Sequence, residues 1–205
     1  MTVLFWVILS VVIYSYLGYT LIIFILALFK KKHSLPEFSE DSLPEVSLVI
    51  AAFNEKSIIA DKVKNSFELN YPKSKLKHIW VTDGSTDGSD KFLAGFEENI
   101  VLHKPERKGK MAAINRAMKV VDTPYTIFCD ANTLLHPDSI IWMVRTLAEE
   151  KTGCVAGEKK IINKNKDSAA GSGEQSYWNY ESFTKQLESK VGSTVGAAGE
   201  LYGVR

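Results

Sequence analysis

The sequence has almost no excess of charge of either sign. Its 25 Lys and Arg stand against 24 Asp and Glu, a formal net charge of +1, so the basic footprint of nucleic-acid binding is missing and no nucleic-acid partner is expected. Cysteine is nearly absent too. Cys129 and Cys154 are the only two; they give neither a disulfide framework nor a metal-ligand spacing, and both read as small buried hydrophobes. No internal repeat is visible. The first strand-like run is not followed by Gly-x-Gly-x-x-Gly, which disfavours a dinucleotide oxidoreductase. From Met1 to Phe29 charge is missing altogether. About 28 apolar-dominated positions at ~1.5 Å per residue exceed the ~30 Å hydrocarbon core of a bilayer, as a tilted transmembrane helix does. A cleaved signal peptide is the alternative, but its basic start, short apolar core and small-residue cleavage site are not there. Lys30-Lys31-Lys32 follows at once, and the positive-inside rule puts the N-terminus outside and everything after that basic flank in the cytoplasm.

What is present is a chain of 205 residues, 45% apolar, long enough for one domain with a full core plus an appendage. The organisation read from it is a membrane helix over 1–29, a basic flank and linker over 30–44 with Pro36 and Pro44, and a domain over 45–205. Val46–Ala52 is β-rich without polar alternation, as in a parallel strand covered on both faces. Ile59, Val63 and Phe67 predict a helix that stops near Pro72. His78–Thr82 predicts a strand running into the polar turn Asp83–Gly88, and Phe92, Leu93 and Phe96 predict a short helix. A strand over 100–103 leads into the basic loop Lys104–Lys110, then a helix with Met111, Ile114, Met118 and Val121 as its apolar face. Tyr125–Asp130 is the next strand, Pro137 opens a helix carrying Ile141, Val144 and Leu147, and Gly153–Gly157 is a further strand. Residues 163–174 read as a polar loop, Tyr177 to Val191 as an amphipathic helix, and Gly192–Arg205 as a glycine-rich end with no closing element. This alternation defines an α/β fold, a mostly parallel sheet covered by helices.

Three strand ends carry polar groups: Asn54-Glu55, Asp83 and Asp130. In a doubly wound sheet, ligands bind outside the carboxyl ends of the strands, so these groups would converge on one crevice. Asp130 suits a hard cation such as Mg²⁺, which takes one or two carboxylates and fills its shell with phosphate and water. Each also has a local reading. Asp130 can cap the helix that Pro137 opens, Asn54 and Glu55 can form a helix start, and Asp83 with Asp87 can form a turn and a cap. The cations Lys104, Arg107, Lys108 and Lys110 can be a solvated run.

Four segments together carry a resemblance: Val-Ser-Leu-Val-Ile-Ala-Ala-Phe-Asn-Glu at 46–55, Val-Thr-Asp-Gly-Ser-Thr-Asp-Gly at 81–88, Arg-Lys-Gly-Lys-Met-Ala-Ala-Ile-Asn at 107–115 and Phe-Cys-Asp-Ala-Asn-Thr at 128–133. In order and interval they resemble the motifs of family 2 glycosyltransferases of the GT-A fold, Rossmann-like and here preceded by one transmembrane helix, as in glycan synthases of the family. The resemblance implies that Ala52, Phe53, Asn54, Glu55 and Asp83 hold the nucleoside of a UDP- or GDP-sugar. It further implies that Arg107, Gly109 and Lys110 approach the diphosphate. Asp130 would be the first residue of the metal motif for Mg²⁺ or Mn²⁺. Asn132 stands where the family has a second aspartate; its carbonyl can ligate but brings no charge. Gly199, Tyr202 and Arg205 resemble the segment facing the acceptor.

A general base is required for inverting transfer, and the family places it after the region of Arg205, so the chain reads as the donor half of a longer synthase. The expected function is metal-assisted, inverting sugar transfer from a nucleotide diphosphate sugar to a glycan or lipid-linked acceptor at the cytoplasmic membrane face. Two alternatives stand beside it: a catalytically silent nucleotide-sugar-binding or assembly module, and a sugar nucleotidyltransferase.

Overall fold

The computed structural model describes residues 1–30, 35–159, 169–196 and 199–205. Two compact units emerge, residues 1–34 with 158–196 and residues 35–157 with 197–205.

In the first unit, α1 (Thr2–Ile13), a π turn (Tyr14–Gly18) and α2 (Tyr19–Leu28) form one uninterrupted apolar helix of 27 residues. At ~1.5 Å per residue it is about 40 Å long, enough to cross a bilayer by length and composition. The π turn, which the sequence does not advertise, falls at Gly18, where an added Cβ would lie 3.0 Å from the Tyr14 ring. Of the basic flank, Lys31 and Lys32 lie outside the described residues.

α7 (Ala169–Val191) packs on α2. The Tyr19 hydroxyl donates to Glu188 Oε1 at 2.6 Å, Thr20 meets the Tyr180 hydroxyl at 2.6 Å, and the Phe24 and Phe183 rings lie 6.5 Å apart. The expected polar loop over 163–174 is therefore corrected in its second half. Helix runs from Ala169, its Gly-Ser start continuing into the segment that packs on α2; residues 163–168 lie outside the described set.

The second unit is a six-stranded sheet in the order β3-β2-β1-β4-β6-β5. The strands are β1 (Val46–Ala52), β2 (Leu76–Asp83), β3 (Asn99–Lys104), β4 (Tyr125–Asp130), β5 (Cys154–Ala156) and β6 (Leu201–Val204). The first four are mutually parallel and β6 runs antiparallel to both neighbours. Helices α3 (Lys56–Phe67), α4 (Ser89–Leu93), α5 (Lys110–Ala117) and α6 (Ser139–Leu147) complete it.

Alternation along β1 sorts the core. Leu48, Ile50 and Ala52 pack with Ile59 and Val63 of α3 and with Ile140, Met143 and Val144 of α6, while Val49 packs with Ala113, Ile114 and Ala117 of α5. Both faces of the central strand are thus covered, the arrangement a continuous apolar run requires.

Several local expectations change. Met111 and Met118 are exposed, because the eight-residue α5 buries a face of Ala113, Ile114 and Ala117 that lies between them. Cys129 is buried, but Cys154 is exposed at the start of the sheet's edge strand β5. The chain end is closed after all, since β6 inserts between β4 and β5. Gly203 permits it: a Cβ there would meet Leu147, Ile127 and Met143 at 3.2–3.3 Å.

Candidate functional site

Register puts the strand ends together. Ala51 lies opposite both Val81 and Asp130, and Ala52 opposite Thr82, so Asn54, Asp83 and Asp130 all leave the sheet at its C-terminal rim. This is the edge at which ligands bind in open α/β sheets.

The first loop and the second are tied through Asn54. It holds φ 52, the only positive φ of a non-glycine residue among those described, a conformation asparagine tolerates better than most residues. Its Oδ1 accepts the Thr86 amide at 2.9 Å and its own amide donates to Ser85 Oγ at 3.2 Å. Asp87 joins the same turn to two helix starts, accepting the Lys56 amide at 2.8 Å and the Ser89 amide at 3.0 Å. Glu55 precedes α3, and its carbonyl accepts the Ile58 and Ile59 amides at 3.0 and 2.9 Å, while its side chain makes no cap.

Asp83 is 5% exposed and anchors the basic loop. Its Oδ2 accepts the backbone amides of Lys108 and Gly109, each at 2.7 Å, and its Oδ1 lies 3.4 Å from Arg116 Nη1. Burial pushes this carboxyl up, but the two amides and the guanidinium together outweigh burial and hold it below the usual carboxylate range. Arg116 also donates to the Thr82 carbonyl at 2.9 Å. Gly84 lets the loops close on each other: at φ 74, a Cβ there would lie 2.7 Å from Arg107 Cβ.

The loop then spans the rim. Arg107 stacks its guanidinium 3.8 Å from the centre of the Phe53 ring. Gly109, at φ 90, turns the chain into α5, and Lys110 reaches across to Asp130 Oδ1 at 2.6 Å and the Gly199 carbonyl at 2.9 Å. On its outer side the loop borders an open hollow of about 340 Å³ lined by Lys104, Lys108, Arg116 and Lys119 with Glu106.

Asp130 ends β4, and its amide donates to the Glu200 carbonyl at 3.1 Å. Asn132 is exposed in the turn that follows, its Oδ1 3.3 Å from Thr133 Oγ1. Among the described residues no three His, Cys, Asp or Glu side chains gather as a metal cage. A single carboxylate and a carboxamide nonetheless fit a cation of the Mg²⁺ kind, which draws its remaining ligands from phosphate and water. The ammonium of Lys110 against Oδ1 shows that carboxylate already turned to a positive charge.

The residues expected to face an acceptor do not all gather at the rim. Gly199 sits beside Lys110 and Asp130, whereas Tyr202 stacks on Phe128 with ring centroids 4.8 Å apart. Because β6 runs antiparallel to β4, Arg205 lies past the opposite edge, donating to the Glu150 carbonyl at 2.9 Å.

Sequence reasoning missed three participants: Ser85, Arg116 and Lys62. Lys62, fully buried in α3, donates to the Thr133 carbonyl and meets Cys129 Sγ at 3.2 Å. The signal was a charged residue falling beside Val63 and three positions after Ile59, on the apolar face of a helix.

The fold is that of a GT-A domain, an α/β sheet with polar groups gathered at the ends of β1, β2 and β4. The sequence profile of glycosyl transferase family 2 matches residues 47–199, and the chain belongs to that family. It is similar to the poly-beta-1,6-N-acetyl-D-glucosamine synthase of Staphylococcus aureus (strain COL), 29% identical over 134 residues that cover 63% of this chain and 32% of that protein. The probable glycosyltransferase YdaM of Bacillus subtilis (strain 168) is 30% identical over 145 residues, covering 66% of this chain and 34% of that protein. The chain thus spans about a third of the length of these relatives. Among solved structures, the mannosyltransferase PcManGT from Pyrobaculum calidifontis in complex with GDP-Man and Mn²⁺ superposes with a TM-score of 0.73 at 23% identity, over 93% of this chain and 53% of that one. Staphylococcus aureus TarS 1–349 in complex with UDP-GlcNAc gives 0.54 at 16% identity, over 59% and 36%. Both likenesses are of fold.

Proposed function

We propose that this chain binds a nucleoside diphosphate sugar along the C-terminal rim and passes the sugar to a glycan or lipid-linked acceptor at a membrane. The observation that carries the reading is the convergence of an aromatic ring, a cationic loop and a lone carboxylate on one edge: Phe53 beneath Arg107, Lys110 against Asp130, with Asp83 holding the loop between them.

The division of labour follows from chemistry. Phe53 and the backbone of Ala52 offer a flat apolar surface to a base, and Arg107 must lift from the ring to admit it. Asn54 and Glu55 bring hydrogen-bonding groups for ribose. Gly109, whose own amide is spent on Asp83, lets the backbone come close to the diphosphate, and Lys110 supplies positive charge where it departs. Mg²⁺ or Mn²⁺ would be held by Asp130 with the Asn132 carbonyl, and when bound it supplies Lewis-acid stabilisation to the leaving diphosphate. Asn132 being neutral, such a cation relies on the diphosphate for much of its hold. Gly199, Tyr202 and Arg205 are proposed for the acceptor side, Gly199 from its place at the rim and the other two from the resemblance alone. Inverting transfer needs a base on the acceptor hydroxyl, a role assigned to no residue here. Thr2–Leu28 anchors the chain, with the N-terminus outside and the sheet on the cytoplasmic side; the basic flank after the span supports that orientation.

Calorimetric titration with UDP and GDP, with and without Mn²⁺, tests the reading. One of the two is expected to bind in a cation-dependent way, and Asp130→Ala to remove that dependence. Equal affinity with and without chelator for both nucleotides overturns it. The neutral Asn132 favours a second reading, a domain that holds nucleotide sugar without turnover; hydrolysis or transfer of a labelled sugar would exclude it.

A further inference from the structure

Lys62 is the second largest of the fully buried side chains, after Trp80, and is 0% exposed. It stands on the face of α3 that also presents Ile59, Val63 and Ser66 to the core. A methionine or leucine would fill that volume without the desolvation that burial imposes on an ammonium. Among the described residues no carboxylate is hydrogen-bonded to Lys62, although the charge of Asp130 is near enough to favour its ammonium form. Its hydrogen-bond partners are the Thr133 carbonyl at 2.5 Å and the Cys129 sulfur at 3.2 Å. Such a charge is an expensive way to fill space.

Its partners show what it does. Thr133 ends the turn that begins at Asp130, closed by the Thr133 amide on the Asp130 carbonyl at 3.1 Å. One helical step on, Asn65 grips the same segment from both sides, donating to the Leu135 carbonyl and accepting the Leu135 amide, each at 2.8 Å. α3 therefore holds residues 133–135 at three points. On its other side the turn is met by the ammonium of Lys110 on Asp130 and by the Glu200 carbonyl, which accepts the Asp130 amide.

We propose that Lys62 is a positioning residue which, from beneath, fixes the Asp130–Thr133 turn so that the Asp130 carboxylate and Asn132 carboxamide face the rim as one cation-binding edge. The inference rests on the nucleotide and cation reading above. It separates two jobs on the rim: the nucleoside end depends on β1 and β2, the cation end on the buried face of α3.

The test uses the full chain in detergent with Lys62→Met, which keeps length and volume, and Ile59→Val, which loosens the same helix face but removes no hydrogen bond to the turn. In Lys62→Met, amide exchange at Ala131 and Thr133 is expected to quicken about tenfold while β1 amides stay as in the wild type. The Mn²⁺-dependent gain in nucleoside diphosphate affinity is expected to fall about tenfold, with free nucleoside affinity kept within about twofold. Ile59→Val is expected to keep both. Unchanged exchange in the turn, or a cation gain lost equally in Ile59→Val, overturns the assignment. A wild type with no cation gain overturns the functional reading instead, and the exchange comparison alone then decides Lys62.

Discussion

Asp83 shows how one carboxylate can do the work of a hinge pin. Both oxygens are spent on the basic loop and on Arg116, whose Nε is buried with no partner. Asp83→Ala leaves two loop amides and a guanidinium without their acceptor. A loss of about 2–3 kcal/mol is expected in urea denaturation, together with weakened binding of uridine or guanosine. Acid should act through the same group. Its folded-state affinity for protons is depressed, so its contribution is complete above the ordinary carboxylate value of roughly 3.9 and is lost as pH falls below it. The wild-type denaturation midpoint should drop more steeply below about pH 4 than that of Asp83→Asn; parallel curves would remove Asp83 as the cause. Asp83, Asp130, Arg107 and Lys110 were legible in the sequence because each sits in a short motif at a strand end or loop. Arg116 and Lys62 were not. A cation on a helix reads as solvent-facing, since charged side chains are seldom fully buried; for Lys62 the place on an apolar helix face ran against that reading, and the carbonyls that both residues meet show the outcome.

Strand ends, turns and helix starts carry the site, and glycine sets how closely they approach. Gly84 holds φ 74 with Arg107 against it. Gly84→Ala combines a left-handed alanine with a clash against loop backbone, so a destabilisation of about 1–3 kcal/mol is expected. Nucleoside diphosphate affinity should fall with it as the loop is pushed off the Phe53 ring. A variant as stable and as tight-binding as wild type would mean that the two loops need not touch. Elements with many buried apolar residues are legible close to their bounds: β1, β2 and β4 as short apolar runs ended by polar residues, α3 by its four-residue spacing. The π turn, the early start of α7 and β6 were hidden. β6 has four residues, one of them glycine, and it becomes a strand because β4 and β5 leave a gap for it, a condition no local pattern encodes.

At the scale of the whole chain, an apolar helix long enough to span a bilayer shares the sequence with a sheet domain that has its own two-sided core. Removing residues 1–34 should abolish co-sedimentation with phospholipid vesicles, measured by flotation, while the sheet domain keeps its far-ultraviolet signature; persistent flotation would place membrane affinity elsewhere. Protease added to sealed cells should spare the sheet domain and digest it once the membrane is opened. The last strand has a further consequence, for the way the polypeptide is born. β4 and β5 are synthesised early, yet the partner that joins them arrives only with residues 201–204, after a 23-residue helix has been made. Until then the nascent chain shows two raw β edges to the crowded space outside the ribosome, each a template for mispairing. A ribosome stalled just before Leu201 should therefore display a species that chaperones hold avidly, and one stalled well past Arg205 a species they release.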